Sequence, residues 1–281
     1  MSADNPVRGA LLVGSAALMF ASMGGLIRLA SVQLPNEQVV FFRNLFGLLV
    51  LLPVLWQRGE RIVLKTGHPG LHLARSLFGL AAMYCFFYAL SVLPLANAVL
   101  LNFTAPLFIP FVAMLWLGER VGPRIWAAIV IGFGGILLIL APGSGLYVRG
   151  AWIGLASGAF AAVAMVSLRK LSGTEPALRV VVYYGVICTA VSLLPALWSW
   201  QPVAPRQLAL LAGAGTFATL GQYLLSRGYG CAPAAQIAPF TYTSVVFAAF
   251  YGWMFWQEIP GWTIAAGTSL VVIAGVLAMR R

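Results

Sequence analysis

At 281 residues, 61% hydrophobic and only 8% charged, with a mean hydropathy of +0.94, the chain carries more apolar side chain than a water-soluble globule of this length can bury. Its formal charge of +11 does not point to nucleic acid, because the 17 Lys and Arg residues are dispersed in short loops rather than gathered on one basic face. Cys85, Cys188 and Cys231 stand in or beside apolar runs with no C-x-x-C or Cys/His spacing, so neither a disulfide framework nor a metal site is expected.

Apolar runs of about 20 residues, the length that crosses roughly 30 Å of hydrocarbon, follow one another along the chain. Only MSADNPVR precedes the first of them, and Asp4 weakens any basic leader, so an uncleaved first helix is expected rather than a signal peptide. Breaks at Pro, Gly and charge clusters place spans at about 8–30, 38–57, 72–92, 95–117, 124–141, 150–171, 178–200, 206–229, 234–256 and 261–279. Ten spans put both termini on one side. With the termini cytoplasmic, only Arg28, Arg43, Arg149 and Arg206 of the 17 basic residues fall outside, which is the positive-inside distribution. Trp56, Trp116, Trp126, Trp152, Trp198, Trp200, Trp256 and Trp262 all fall near predicted span ends, where an amphipathic ring suits the headgroup region.

The chain repeats. Pro94 matches Pro233, Glu119 matches Glu258 and Gly122 matches Gly261, each pair 139 residues apart. Tyr84 and Tyr223, Thr104 and Thr243, and Phe108 and Phe247 keep the same offset, and Arg28 and Arg169 pair at 141. Residues as scarce here as Glu, Pro and Arg do not readily fall into one register by chance. Residues 1–141 and 142–281 are therefore read as two copies of five spans. Because five is odd, the second copy enters the membrane from the opposite side, giving an all-α polytopic membrane protein of ten transmembrane helices in two inverted five-helix repeats.

The two halves, the run FFYALSVLPLANAVLLNFTAPLF at 86–108, the LGER turn at 117–120 and GFGGILLIL at 132–140 resemble the EamA-type members of the drug/metabolite transporter superfamily. QEIPGW at 257–262 departs from that pattern, with Gln257 and Ile259 where the first half has Gly118 and Arg120. The resemblance implies an inner-membrane carrier of small metabolites. It extends to exporters of amino acids, aromatic ones included, and to carriers of drugs or nucleotide-like metabolites.

Polar side chains near the midplane are costly unless they face a cavity or a partner helix. The fourth span offers Asn97, Asn102 and Thr104; the ninth offers Gln236, Thr241 and Thr243. Asn97 and Thr104 lie two turns apart on one helix face, and Gln236 and Thr243 repeat that spacing, giving matched polar stripes. They line a substrate cavity or make interhelical hydrogen bonds, worth on the order of 0.6 kcal/mol each in a bilayer. Tyr84 and Tyr223, with Tyr88, Gln222 and Tyr242 nearby, add rings with hydroxyls suited to an amphipathic ligand. Trp253 and Phe103 extend that aromatic set. Pro106 and Pro110 in the fourth span and Pro239 in the ninth are candidate hinges or static kinks. Gly154 and Gly158 form a G-x-x-x-G expected to pack within the bundle.

Glu119 and Glu258 each fall in the turn before the last span of their half, where a carboxylate meets the positive end of the following helix. Arg43, Arg75 and Arg227 either anchor at the interfaces or attract a substrate carboxylate. With no Asp, Glu or His near the centre of a span, alternating access without a dedicated proton carboxylate is expected. No G-x-S-x-G or H-E-x-x-H is present, so an enzyme is not expected. The reading is a multi-pass protein of the bacterial inner membrane, monomeric, without cofactor or metal, that exports small amphipathic metabolites such as amino acids. A multidrug or nucleotide-like carrier is the alternative within the same class; a channel or a non-transporting subunit are alternatives from other classes.

Overall fold

The computed structural model describes residues 6–58, 65–117, 122–140, 148–172, 174–229, 240–241, 243–259 and 261–279. Its helices are α1 (Pro6–Ala30), α2 (Asn36–Arg58), α3 (Pro69–Val92), α4 (Leu95–Asn102), α5 (Ala105–Leu117), α6 (Pro123–Leu140), α7 (Val148–Ser172), α8 (Ala177–Trp198), α9 (Pro205–Tyr229), α10 (Thr243–Trp256) and α11 (Trp262–Met279). No strand occurs among the described residues. Proline opens α1, α3, α6 and α9, where its fixed φ suits the first turn and its missing N–H breaks no helical bond. Among the described residues, six stretches are long and apolar enough to cross a membrane: Val7–Ala30, Pro69–Val92, Leu95–Trp116, Arg149–Leu168, Leu178–Trp198 and Pro205–Leu225. The outer surface keeps large apolar side chains exposed, Leu115, Val130, Leu194, Trp198 and Trp262 among them, as a lipid-facing surface requires.

The fourth span is not the continuous helix 95–117 that the sequence predicts. It stops at Asn102 and restarts at Ala105, and the physical reason is Pro106, which has no N–H to give to the carbonyl of Asn102. Phe103 turns out of helical geometry at φ −75°, ψ 9°, and Thr104 closes the end of α4 on Leu101 O with both its N–H at 3.2 Å and its hydroxyl at 2.6 Å. Pro110 lies inside α5, which continues through it. Pro239, and residues 234–239 of the predicted ninth span, lie outside the described residues.

The most extensive packings are α1 on α9, α3 on α7 and α6 on α11. Close approach rests on glycine at specific points. A Cβ on Gly135 of α6 would stand 2.7 Å from Gly267 O of α11, and one on Gly215 of α9 would stand 2.8 Å from Gly47 N of α2. The G-x-x-x-G of α7 faces the α4–α5 break: a Cβ on Gly158 would run into Thr104 Oγ1 and stand 2.9 Å from Leu101 O. A core of Ile27, Leu90, Leu95, Leu100 and Leu101 fills the space between α1, α3 and α4 toward the end of the bundle remote from the chain termini.

Candidate functional site

The polar residues of α4 and its break point into the bundle and are largely committed to it. Asn97 is buried, and Thr104 is fully buried with its hydroxyl on Leu101 O and its side chain against Gly158. Asn102 donates to Ser157 Oγ of α7 at 3.1 Å, and Ser157 in turn donates to Gly154 O at 2.5 Å. The break is thus tied to α7 by a short hydrogen-bonded chain, and Phe103 packs half-buried against the core. At the start of α10, Thr243 donates to Phe240 O at 2.6 Å. Gln236, Tyr242 and Glu119 lie outside the described residues.

The tyrosines that the repeat makes equivalent occupy different surroundings. Tyr84 of α3 is half-buried; its hydroxyl is enclosed with no hydrogen-bond partner, while its carbonyl accepts from Asn36 Nδ2 at 3.0 Å. Tyr88 is half-buried one turn further along. Tyr223 of α9 is exposed, and its hydroxyl accepts from Arg227 Nη1 at 2.8 Å. Gln222 is half-buried beside it, and Trp253 of α10 is exposed. Tyr251 takes an inward place that the sequence did not single out, its hydroxyl 3.0 Å from Ser22 Oγ of α1.

Glu258 makes a polar connection between the halves at the end remote from the termini. The sequence places it before α11, ready for the N-terminus of that helix. Its carboxylate instead reaches the first helix of the opposite half's broken span: Oε2 accepts from Leu95 N–H of α4 at 2.9 Å, and Oε1 pairs with Arg28 of α1 at 2.5 Å. The Arg28 guanidinium also lies 4.6 Å from the centroid of the Trp256 ring. Gln257, with φ 55°, folds the chain back so that Glu258 N–H bonds Gly252 O at 3.1 Å. Glycine at 252 leaves room for the returning carboxylate, whose Oε2 stands 2.8 Å from where a Cβ would be.

Two further polar junctions join loops across the halves. Remote from the termini, Gln207 Nε2 donates to Gln33 Oε1 at 2.8 Å, and its Oε1 accepts from Ala204 N–H at 2.7 Å. On the termini side, Thr66 donates to Glu175 Oε1 at 2.6 Å, Arg179 bonds Glu175 Oε2, and His72 stacks on Tyr183 at 4.4 Å beside them. The Thr66 hydrogen bond and then that of Arg179 hold the Glu175 carboxyl below its ordinary pKa. Between the two faces, Arg75 of α3 lies over the Tyr184 ring of α8, and Arg43 of α2 bonds Asn44 Oδ1 with its Nε enclosed. The sequence marked both as interfacial anchors or carboxylate attractors without signalling that they converge. The one local hint was Gly79, four residues after Arg75: a Cβ there would stand 2.5 Å from Arg75 Nη1 and 2.8 Å from Tyr184 Cε2. No group of three His, Cys, Asp or Glu side chains able to hold a metal occurs among the described residues.

A solved crystal structure superposes on 96% of the chain, and 96% of its own length, with a TM-score of 0.68 at 20% identity, which speaks to the fold alone. The chain is 34% identical over 275 residues to a pseudopaline exporter of Pseudomonas aeruginosa, covering 97% of this chain and 96% of that one. It is 30% identical to a riboflavin transporter of Vibrio cholerae, covering 96% and 92%, and 27% identical to an S-adenosylmethionine uptake transporter of Rickettsia bellii, covering 86% and 83%. These names do not carry the aromatic amino-acid export that the sequence resemblance favoured. The model of the EamA-like transporter family matches residues 7–141 and again residues 148–280. The chain is a multi-pass membrane transporter and belongs to the EamA-like transporter family.

Proposed function

We propose that this transporter exports small amphipathic metabolites, amino acids and their derivatives foremost, across the bacterial inner membrane by alternating access. In this reading residues 1–141 and 142–281 are inverted five-helix repeats, the termini are cytoplasmic, and the protein works as a monomer. The observation that carries it is the junction of Arg28, Glu258 and the α4 N-terminus. It ties α1 and α4 of one half to the α10–α11 turn of the other through two polar contacts that can break and reform, which is what a closure between rocking halves needs. The α4–α5 break gives the first half a place to bend, with Pro106 as its cause. Tyr84 and Tyr88, with Asn97 one helix away, offer the interior face an amphipathic ligand would use. Gln222, Tyr223, Gln236, Tyr242 and Thr243 belong to the same site in the opposite state.

A second reading, a carrier of larger ring-bearing metabolites, is favoured by the similarity to riboflavin transporters. Counterflow into proteoliposomes holding purified protein, with tyrosine, phenylalanine, riboflavin and S-adenosylmethionine each presented alone, separates the two. Saturable exchange of amino acids supports the first reading, exchange of riboflavin alone supports the second, and no saturable exchange of any solute refutes both. Asn97→Ala, Gln236→Ala and Tyr84→Ala are expected to slow exchange while leaving the protein folded. Uphill accumulation driven by a pH gradient alone would refute transport without a proton carboxylate.

A further inference from the structure

The interior of α2, α3 and α8 holds positive charge with no acid to match it. Arg43 is the eighth residue of α2 and Arg75 the seventh of α3, so each backbone position lies about 10 Å into its helix at 1.5 Å per residue. α2 and α3 run in opposite directions, and the two long side chains converge from opposite faces. Arg75 lies over the Tyr184 ring at 4.5 Å. α2 and α3 both pack on α8, so the three helices meet here, with Cys188 one turn beyond Tyr184 on α8. Cys188 itself is held to Ser76 O at 3.5 Å.

What this cluster lacks is an acceptor. Arg43 Nη1 donates to Asn44 Oδ1 at 2.9 Å, but Arg43 Nε, Asn44 Nδ2 and Arg75 Nε are buried with nothing to donate to, and Ser76 Oγ beside them has no partner. Among the described residues no ion pair joins either arginine to a carboxylate; Glu175 and Glu258 are engaged elsewhere. Both arginines are half-buried with Nε enclosed, a guanidinium held there without a counter-charge is costly, and uncompensated ionisable groups inside a membrane bundle mark substrate paths. Arginine's planar fork matches a carboxylate with two parallel hydrogen bonds.

We propose that Arg75, seated on the Tyr184 ring, and Arg43 of the adjoining α2 together form the subsite that holds the carboxylate of the transported metabolite. The inference rests on the metabolite-export reading and adds the group by which the cargo is recognised. A cargo carboxylate supplies the missing acceptor and countercharge, and the Tyr184 ring holds the Arg75 fork in place. An analogue without the carboxylate leaves the same donors unpaired and is rejected.

The test uses purified full-length protein and two readouts. In counterflow, tyrosine is compared with tyramine, which lacks only the carboxylate. Wild type is expected to prefer tyrosine by roughly tenfold to hundredfold, the range of one hydrogen bond to a charged group. Arg43→Gln and Arg75→Gln are expected to lose that preference, with Arg75→Lys restoring part of it. Equal exchange of tyrosine and tyramine by wild type, or preference unchanged in both Gln variants, overturns the proposal. The thermal midpoint of the ligand-free protein in detergent is the second readout. An uncompensated pair built for cargo predicts that each Gln substitution holds or raises the midpoint, whereas arginines that serve the fold predict a fall in both variants. If wild type exchanges neither probe, the export reading fails for this class while the midpoints still decide the subsite: a rise or no change supports an anion site, and a fall in both removes it.

Discussion

Removing the Glu258 carboxylate tests the junction between the halves. Two interactions end on it, the 2.9 Å bond from Leu95 N–H and the 2.5 Å ion pair with Arg28. A hydrogen bond to a charged acceptor contributes about 1.5–3 kcal/mol, in line with the upper range for a lost helix N-cap. The ion-pair side chains are only 17% and 20% exposed, so removing the carboxylate leaves Arg28 largely enclosed without its partner, a cost of at least about 1 kcal/mol even with the Trp256 face retained. Glu258→Ala is therefore expected to weaken the junction by about 3 kcal/mol, roughly a hundredfold shift in its closed population at 1.4 kcal/mol per factor of ten. Glu258→Gln keeps an acceptor for Leu95 and is expected to cost about half as much. Thermal unfolding of Arg28→Gln, Glu258→Gln and the double variant in detergent closes a cycle whose coupling is expected near 1 kcal/mol. Gly252→Ala reaches the same junction from the other side, since its Cβ would stand 2.8 Å from Oε2 and push the carboxylate off Leu95. Zero coupling in the cycle, together with a Glu258→Ala midpoint equal to wild type, would refute the assignment.

Gly158→Ala is expected to destabilise the protein by about 1–3 kcal/mol through overpacking against Thr104 and the Leu101 carbonyl, while Gly134→Ala, with nothing within 4 Å, is expected to be tolerated; melting curves in one detergent compare them. Glu175 has a depressed folded-state pKa, so its stabilising contribution is complete above the ordinary value of 4.5 and is lost as pH falls through the lower folded value. The thermal midpoint is expected to drop as pH falls below about 4.5, less so in Thr66→Val, and an equal drop in that variant would rule out the Thr66 bond as the leading cause. Thr104→Val removes the hydroxyl from Leu101 O and is expected to lower stability by about 1 kcal/mol without changing the apparent affinity for cargo, whereas Tyr84→Phe is expected to change affinity and leave stability intact, both read from one set of counterflow and melting measurements.

Much of the helical layout was legible because span length and punctuation are local properties. Pro6, Pro69, Pro123 and Pro205 open helices where the sequence puts span starts, within a few residues. Facing was not legible. In a bilayer the lipid side and the packed side of a helix are equally apolar, so hydrophobic periodicity does not say which residues look inward. That is why Thr104 reads as a cavity residue yet closes a helix end, and why Tyr223 reads as the mate of Tyr84 yet is exposed. Glu258 was legible as a helix cap by its scarcity and position, but which helix it caps depends on how the other half packs. Arg43 and Arg75 are 32 residues apart, and only the meeting of α2, α3 and α8 brings them to one region of the bundle.

The polar junctions bear on how two similar halves can work as one carrier. The α1–α2 and α8–α9 loops are joined by Gln33 and Gln207; the α7–α8 and α2–α3 loops are joined by Glu175 and Thr66. Under the sequence register of the repeat these are the same pair of loops, seen once at each end of the bundle, and likewise α1 on α9 is the counterpart of α3 on α7. If the halves exchange conformations as proposed, contacts that recur in both copies are expected to persist whichever way the carrier faces, and their loss to cost stability alone. Contacts that differ between copies are those free to change with the state. Tyr84, enclosed and without a hydroxyl partner, and Tyr223, exposed and bonded to Arg227, are such a pair. Under the proposed alternating access, an exchange of their surroundings is expected, with the Arg28–Glu258 junction opening as Tyr223 becomes enclosed.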